Sequence, residues 1–131
     1  MNQKIVITRQ ILVAVILMFS AAAFVSCDKY VWDPPKIDDT IPVSFQNEIL
    51  PIFTGNNCVG CHGGSLDPDL RPANAYDALI NGGYVIPNHP ETSDLYNHLL
   101  TSPHNTRCTD VERQKISAWI KQGAINDNIT K

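Results

Sequence analysis

The chain carries one unbroken apolar run near its start and only short amphipathic stretches after it. Ile11 to Phe19 is apolar throughout, and the small residues Ser20, Ala21, Ala22 and Ala23 follow. Further along, apolar positions recur at helical spacing. Phe45, Ile49 and Ile52 follow Ser44, a residue suited to an N-cap, and Gly55-Asn56-Asn57 ends that stretch. Tyr76, Leu79 and Ile80 precede the stop Asn81-Gly82-Gly83, and Leu95, Tyr96, Leu99 and Leu100 follow a second capping candidate, Ser93. The clearest pattern is the last: Thr109-Asp110-Val111-Glu112 fits a capping box, Ile116, Trp119 and Ile120 form the stripe, and Gly123 closes it. Alternation of period two is weak everywhere, and Gly83 to Pro87 reads as an extended loop at most. The pattern predicts an all-α fold of about four short helices.

The leading apolar run reads as a targeting segment rather than fold. Lys4 and Arg9 give it a basic start, and it ends in Phe24-Val25-Ser26-Cys27, which resembles the lipobox where a bacterial lipoprotein is cleaved and its cysteine acylated. Cleavage after Ala21-Ala22-Ala23 and an uncleaved anchor are the alternatives, although Ile11 to Val25 is shorter than the about 20 residues of a membrane span. All three put the rest of the chain outside the cytoplasm. Residues 28–42 then hold Asp33, Pro34, Pro35, Asp38, Asp39 and Pro42, a density of proline that disfavours helix and suits a tether. The expected division is a signal peptide over 1–26, a Pro/Asp-rich tether over 27–42, one domain over 43–127 and a tail over 128–131.

Charge excludes one class of partner. Of 10 Lys and Arg, Lys4 and Arg9 fall in the leader, which leaves 8 against 13 Asp and Glu, a net charge of −5. Nucleic-acid binding wants a basic face, which this chain lacks.

The chemistry concentrates in Cys58-Val59-Gly60-Cys61-His62. The spacing C-x-x-C-H lets two thiols reach the two vinyl groups of one porphyrin and forces the adjacent imidazole under the iron as its proximal ligand. Five residues alone leave room for chance, or for a redox or zinc C-x-x-C. The four cysteines nevertheless divide cleanly: Cys27 for lipid, Cys58 and Cys61 for one covalent haem c, and Cys108 left as a small structural thiol. No disulfide remains possible on that assignment. A domain this small has a thin core, and the haem would supply its centre.

Val43-Ser44-Phe45-Gln46-Asn47-Glu48-Ile49-Leu50-Pro51-Ile52-Phe53 ahead of Cys58-Val59-Gly60-Cys61-His62-Gly63-Gly64 resembles the monohaem class-I-like cytochrome c domains of bacterial envelope lipoproteins. So do Asp69-Leu70-Arg71, Ala75-Tyr76, Ser93-Asp94-Leu95-Tyr96, and the stretch from Ile116 through Trp119-Ile120 to Gln122-Gly123-Ala124. The resemblance implies a small helical bundle around one haem, its first and last helices crossing so that Phe45 or Ile49 lies near Trp119. It implies, too, that a backbone carbonyl between Leu66 and Leu70 orients the His62 ring.

Many relatives present a Met-Pro methionine as distal ligand between the third and last helices. This chain has two methionines, Met1 and Met18, both in the leader. His104, within Ser102-Pro103-His104-Asn105-Thr106-Arg107, stands one residue past that place and is the expected distal iron ligand opposite His62. His98, within a helix, reads as a surface or satisfied polar group, and His89, in Pro87-Asn88-His89-Pro90, as an exposed turn. Arg107 and Arg71 each read either as a propionate partner or as an ordinary surface arginine. The resemblance implies a non-enzymatic, membrane-tethered carrier working with redox proteins of the cell envelope, the membrane reached through the lipid on Cys27. Two alternatives stay open: a haem with an open distal site that binds a gas or peroxide, and an accessory lipoprotein with a fortuitous motif.

Overall fold

The computed structural model describes residues 2–22 and 35–127. The chain divides into two compact units between Asp33 and Pro34. The described residues hold five α-helices and no strand, so the all-α expectation is met. Helix α1 (Asn2–Ala22) is the described part of the first unit and contains the whole apolar run. No helix among the described residues is long and apolar enough to cross a membrane. Cys27 and the tail lie outside the described residues.

The second unit opens as the sequence leads one to expect. Ser44 caps its first turn, its Oγ accepting from the Asn47 N–H at 2.9 Å, while the Glu48 carboxylate accepts from the Ser44 N–H at 3.1 Å. The helix is not continuous, however. Phe45–Ile49 is wound as a π-turn, with the Leu50 N–H donating to the Phe45 carbonyl, and α2 (Leu50–Gly55) follows. Pro51 explains the break: it has no N–H to donate to the preceding turn, so the wider winding takes up the gap and Pro51 falls where a new helix begins. Phe45, Ile49, Ile52 and Phe53 are all buried.

Helix α3 (Ala75–Asn81) stops at Gly82, and Gly83 takes the left-handed conformation. Helix α4 (Asp94–Leu99) departs from expectation at both ends. Ser93 does not cap it. Its fully buried hydroxyl instead accepts from the Ile86 N–H at 2.9 Å and donates to the His89 carbonyl at 2.9 Å, pinning the loop before the helix. A buried hydroxyl must find such partners, and the loop carbonyl lies closer to hand than the helix amides. The helix also ends at Leu99, so Leu100 falls off the apolar stripe and is exposed.

Helix α5 (Asp110–Lys121) has both halves of the capping box, Thr109 and Glu112 bonding each other's backbone, a device worth about 1 kcal/mol. Its end is a Schellman turn: Gly123 at φ +96° donates to the Ile120 carbonyl and Ala124 to the Trp119 carbonyl. Phe45 meets Trp119 with ring centres 5.1 Å apart, and Tyr76 of α3 packs edge-on against Phe45 at 5.2 Å. Of the two contacts that the crossing of first and last helices implied, the Phe45 one forms. Phe45 and Trp119 are large buried rings, of a kind whose truncation costs about 3–5 kcal/mol.

The end of the expected tether is bonded to the domain. Its last residues lie along α5, where the Gln122 amide bonds the Asp39 and Ile41 carbonyls and the Val43 N–H, each at 2.8 Å. Gln114 accepts from the Ile37 N–H at 3.0 Å, and Lys121 reaches Asp39. Proline blocks helix in this segment but leaves its carbonyls free to be strapped down. Gln122→Ala should cost about 1–2 kcal/mol in chemical denaturation, because three backbone groups lose one side chain. Amide exchange at Val43 should rise in step. Unchanged exchange there would mean the strap does not hold.

Candidate functional site

The C-x-x-C-H segment is a tight turn whose shape its own residues impose. Asn57 turns the chain at φ +56°, and Cys58–Gly60 forms a single 3-10 turn. The His62 N–H donates to the Cys58 carbonyl at 2.9 Å. Gly63 is needed here because a Cβ on it would lie 2.7 Å from the Val59 carbonyl oxygen. The turn leaves Cys58 half-buried and Cys61 exposed. Burial pushes the Cys58 thiol up, and the nearby Arg107 charge opposes that.

His62 is held twice by the following loop. Its carbonyl accepts from the Leu70 N–H at 2.7 Å, and its Nδ1 lies 3.2 Å from the Pro68 carbonyl oxygen. A carbonyl only accepts, so this bond places the ring proton on Nδ1 and leaves the Nε2 lone pair free for a metal. The implied carbonyl between Leu66 and Leu70 is therefore Pro68.

His62 looks into a cleft of about 220 Å³ whose walls are chiefly apolar, among them Phe53, Leu70, Leu95 and Leu99. Cys58 lines it, and so does His104, half-buried on the short turn His104–Thr106. The His62 and His104 ring centres stand 6.3 Å apart with their planes at 46°. Burial lowers the tendency of His104 to hold a proton, and His62, His98 and Arg107 add to that. The shift favours the neutral imidazole, the form that binds metals.

His98 also lines the cleft, which the sequence did not reveal. Its ring centre is 6.0 Å from that of His104 with the planes at 84°, and its Nδ1 lies 2.8 Å from the Asp94 carbonyl oxygen. The signal was present but ambiguous: His98 follows Leu95 by one short helical turn, and both face the cleft. Tyr84 is a second lining residue that no periodicity marked. His89 is exposed and pairs with Glu91 at 3.1 Å, away from the cleft.

The structure separates the two arginines. Arg71 lies over Gly64 and grips Asp69 through two nitrogens, Nε to Oδ1 at 2.9 Å and Nη2 to Oδ2 at 2.6 Å. With Asn74 donating to the same carboxylate, Asp69 is held far below the usual carboxylate range, by the Arg71 bond first. Arg71 is thus committed to bracing the loop that carries Pro68 and Leu70. Arg107 is exposed and acts electrostatically on both Cys58 and His104. Cys108 is buried, accepts a weak bond from Asn56 at 3.8 Å and is pushed up to about 11 by burial, as a structural thiol would be.

Among the described residues, no group of three or more His, Cys, Asp or Glu side chains converges to hold a metal ion on protein donors alone. What the cleft offers is a pair of imidazoles, the Cys58 thiol and apolar walls, with Cys61 exposed on the same turn as Cys58. Compared with family models, with curated proteins and with solved structures, the chain finds no match.

Proposed function

We propose that the chain is a single-haem c-type cytochrome that carries electrons outside the cytoplasm. Cys58 and Cys61 would hold the porphyrin as thioethers, and His62 and His104 would ligate its iron. The observation that carries this reading is the 6.3 Å between the His62 and His104 ring centres. A metal-bound imidazole nitrogen sits about 2.0 Å from the ion and about 1.1 Å from its own ring centre, so two rings on opposite sides of one ion have centres about 6 Å apart. Two imidazoles make an axial pair rather than a cage, and a haem brings the four in-plane donors that this cleft does not provide.

When bound, haem supplies a one-electron ferrous–ferric couple whose potential its axial ligands and surroundings set. The chain's own residues do the rest. Pro68 fixes the His62 ring, the loop braced by Asp69 and Arg71 fixes Pro68, and the leucine and phenylalanine walls exclude water. Arg107 puts a positive charge beside Cys58 and His104, where it suits a propionate carboxylate. With His62 and His104 both given to the iron, no place would remain there for a substrate, which argues for a carrier rather than an enzyme. An imidazole in place of thioether gives a lower potential than His/Met ligation does.

The basic, apolar leader and the lipobox-like Cys27 support a location in the bacterial cell envelope, lipid-anchored to a membrane. Its partners are redox proteins there, and its acidic balance suits a basic docking face. The test is a pyridine haemochrome assay and a ferric spectrum of the exported full chain. One covalent haem per chain, low spin and without the near-infrared methionine–iron band, is expected. A high-spin ferric spectrum would mean an open distal site instead, and absence of covalent haem would mean a chance motif.

A further inference from the structure

The two facing imidazoles are not secured alike. A metal-bound imidazole needs a second contact to fix the plane of its ring. His62 has one in the Pro68 carbonyl. His104 has no hydrogen bond to its ring from any described residue, and only its backbone is tied, its N–H donating to the Thr101 carbonyl at 2.9 Å. What meets its ring instead is His98, edge to face, with centres 6.0 Å apart and planes at 84°. His98 is itself a fixed wall: it stands on α4, and its Nδ1 is bound to the Asp94 carbonyl at 2.8 Å. At that separation and angle, with each ring nitrogen about 1.1 Å from its centre, the contact is one of ring packing rather than a nitrogen-to-nitrogen hydrogen bond.

We propose that His98 is a positioning residue for the distal ligand: its ring buttresses the His104 imidazole and sets its plane while making no bond to the iron. The proposal rests on the haem reading above. The role is aromatic rather than acid–base, so a phenylalanine should perform it and an alanine should not. His98 is exposed at the end of a helix, and alanine is the best helix former, so His98→Ala should fold.

The test uses the exported full-length holoprotein in its ferric state, with cyanide as the competitor that displaces His104. An edge-to-face pair is worth enough to change ligand retention by roughly 2- to 10-fold. His98→Ala should therefore bind cyanide that much more tightly, and the g-values of its low-spin electron paramagnetic resonance signal should move. His98→Phe keeps the packing ring and loses only its bond to the Asp94 carbonyl, so it should recover most of the change in both. Wild-type behaviour in His98→Ala overturns the proposal. So does a phenylalanine variant that fails to rescue, which would point to a polar role, or complete loss of low-spin ligation in His98→Ala, which would make His98 the ligand. A wild-type protein that is high spin or free of covalent haem fails the haem reading itself and takes the proposal with it.

Discussion

Replacing Cys58 and Cys61 together by alanine should give a chain that carries no covalent haem and no longer unfolds cooperatively at the wild-type midpoint. The two side chains differ in what they contribute as side chains. Cys61 is exposed and Cys58 half-buried, so truncating them to alanine removes little packing, well under what a large core residue costs. The expected loss comes from the missing porphyrin. The core on the Trp119 side is complete without it, with Phe45, Ile49, Ile116 and Ile120 buried against one another. On the other side, Phe53, Leu70, Leu95 and Leu99 line a cleft that the proposed porphyrin would fill. Loss of a covalently held centre should cost an amount comparable to the about 2–5 kcal/mol of a disulfide removed from a small secreted domain, against a typical total stability of about 5–15 kcal/mol. Denaturation followed by circular dichroism should show a loss in that range or a broad, non-cooperative transition. Exchange of Leu95 and Leu99 amides should accelerate more than that of Ile116 and Ile120. A haem-free variant that unfolds like wild type would mean that the cleft needs no centre.

Those two halves of the domain were not equally legible in the sequence. The Trp119 half was, because its signals are local: Thr109 and Glu112 three residues apart, a stripe of period near 3.6, and Gly123 where only a left-handed residue serves. The Phe45–Trp119 contact is one of the two that the resemblance implied, and no local pattern announces it. The cleft half was legible only at its covalent motif and its loop histidine. Ser93 looked like a cap because its type and place fit one, and only the fold shows its hydroxyl spent on Ile86 and His89. His98 looked like surface because exposure and a cleft are compatible on a six-residue helix. Arg71 and Asp69 stand two residues apart, a spacing that means a pair only once the loop turns back on itself. The Gln122 strap joins residues some 80 positions apart, and a lone glutamine leaves no pattern. What sequence misses here is polar contact across distance. Hydrophobic period carries helices, but nothing periodic carries hydrogen bonds between loops.

His104→Ala should convert the ferric protein from low spin to high spin while leaving covalent haem and fold in place. The distinction between ligand and wall residue makes this the sharpest test of the site. His104 is half-buried on a turn, its side chain packing only against the other rings and the cleft edge, so truncation removes little core. Cyanide measures the opening quantitatively. An external ligand binds only the fraction of molecules whose distal position is free, so its apparent affinity is reduced by that fraction. If His104 is displaced about 1% of the time, the variant should bind cyanide about 100-fold more tightly than wild type. That is well beyond the roughly 2- to 10-fold expected for the His98 wall, and the two effects are separable on the same titration. Added imidazole should restore the low-spin spectrum by refilling the vacated position, and His104→Met should restore it with a higher reduction potential, as thioether replaces imidazole. A His104→Ala protein that stays low spin, with unchanged cyanide affinity, would remove His104 from the iron. The His98→Ala, His104→Ala double variant then identifies the replacement. If low-spin ligation survives the first substitution and is lost on the second, the distal ligand is His98, and the 6.3 Å pairing of His62 with His104 is packing alone.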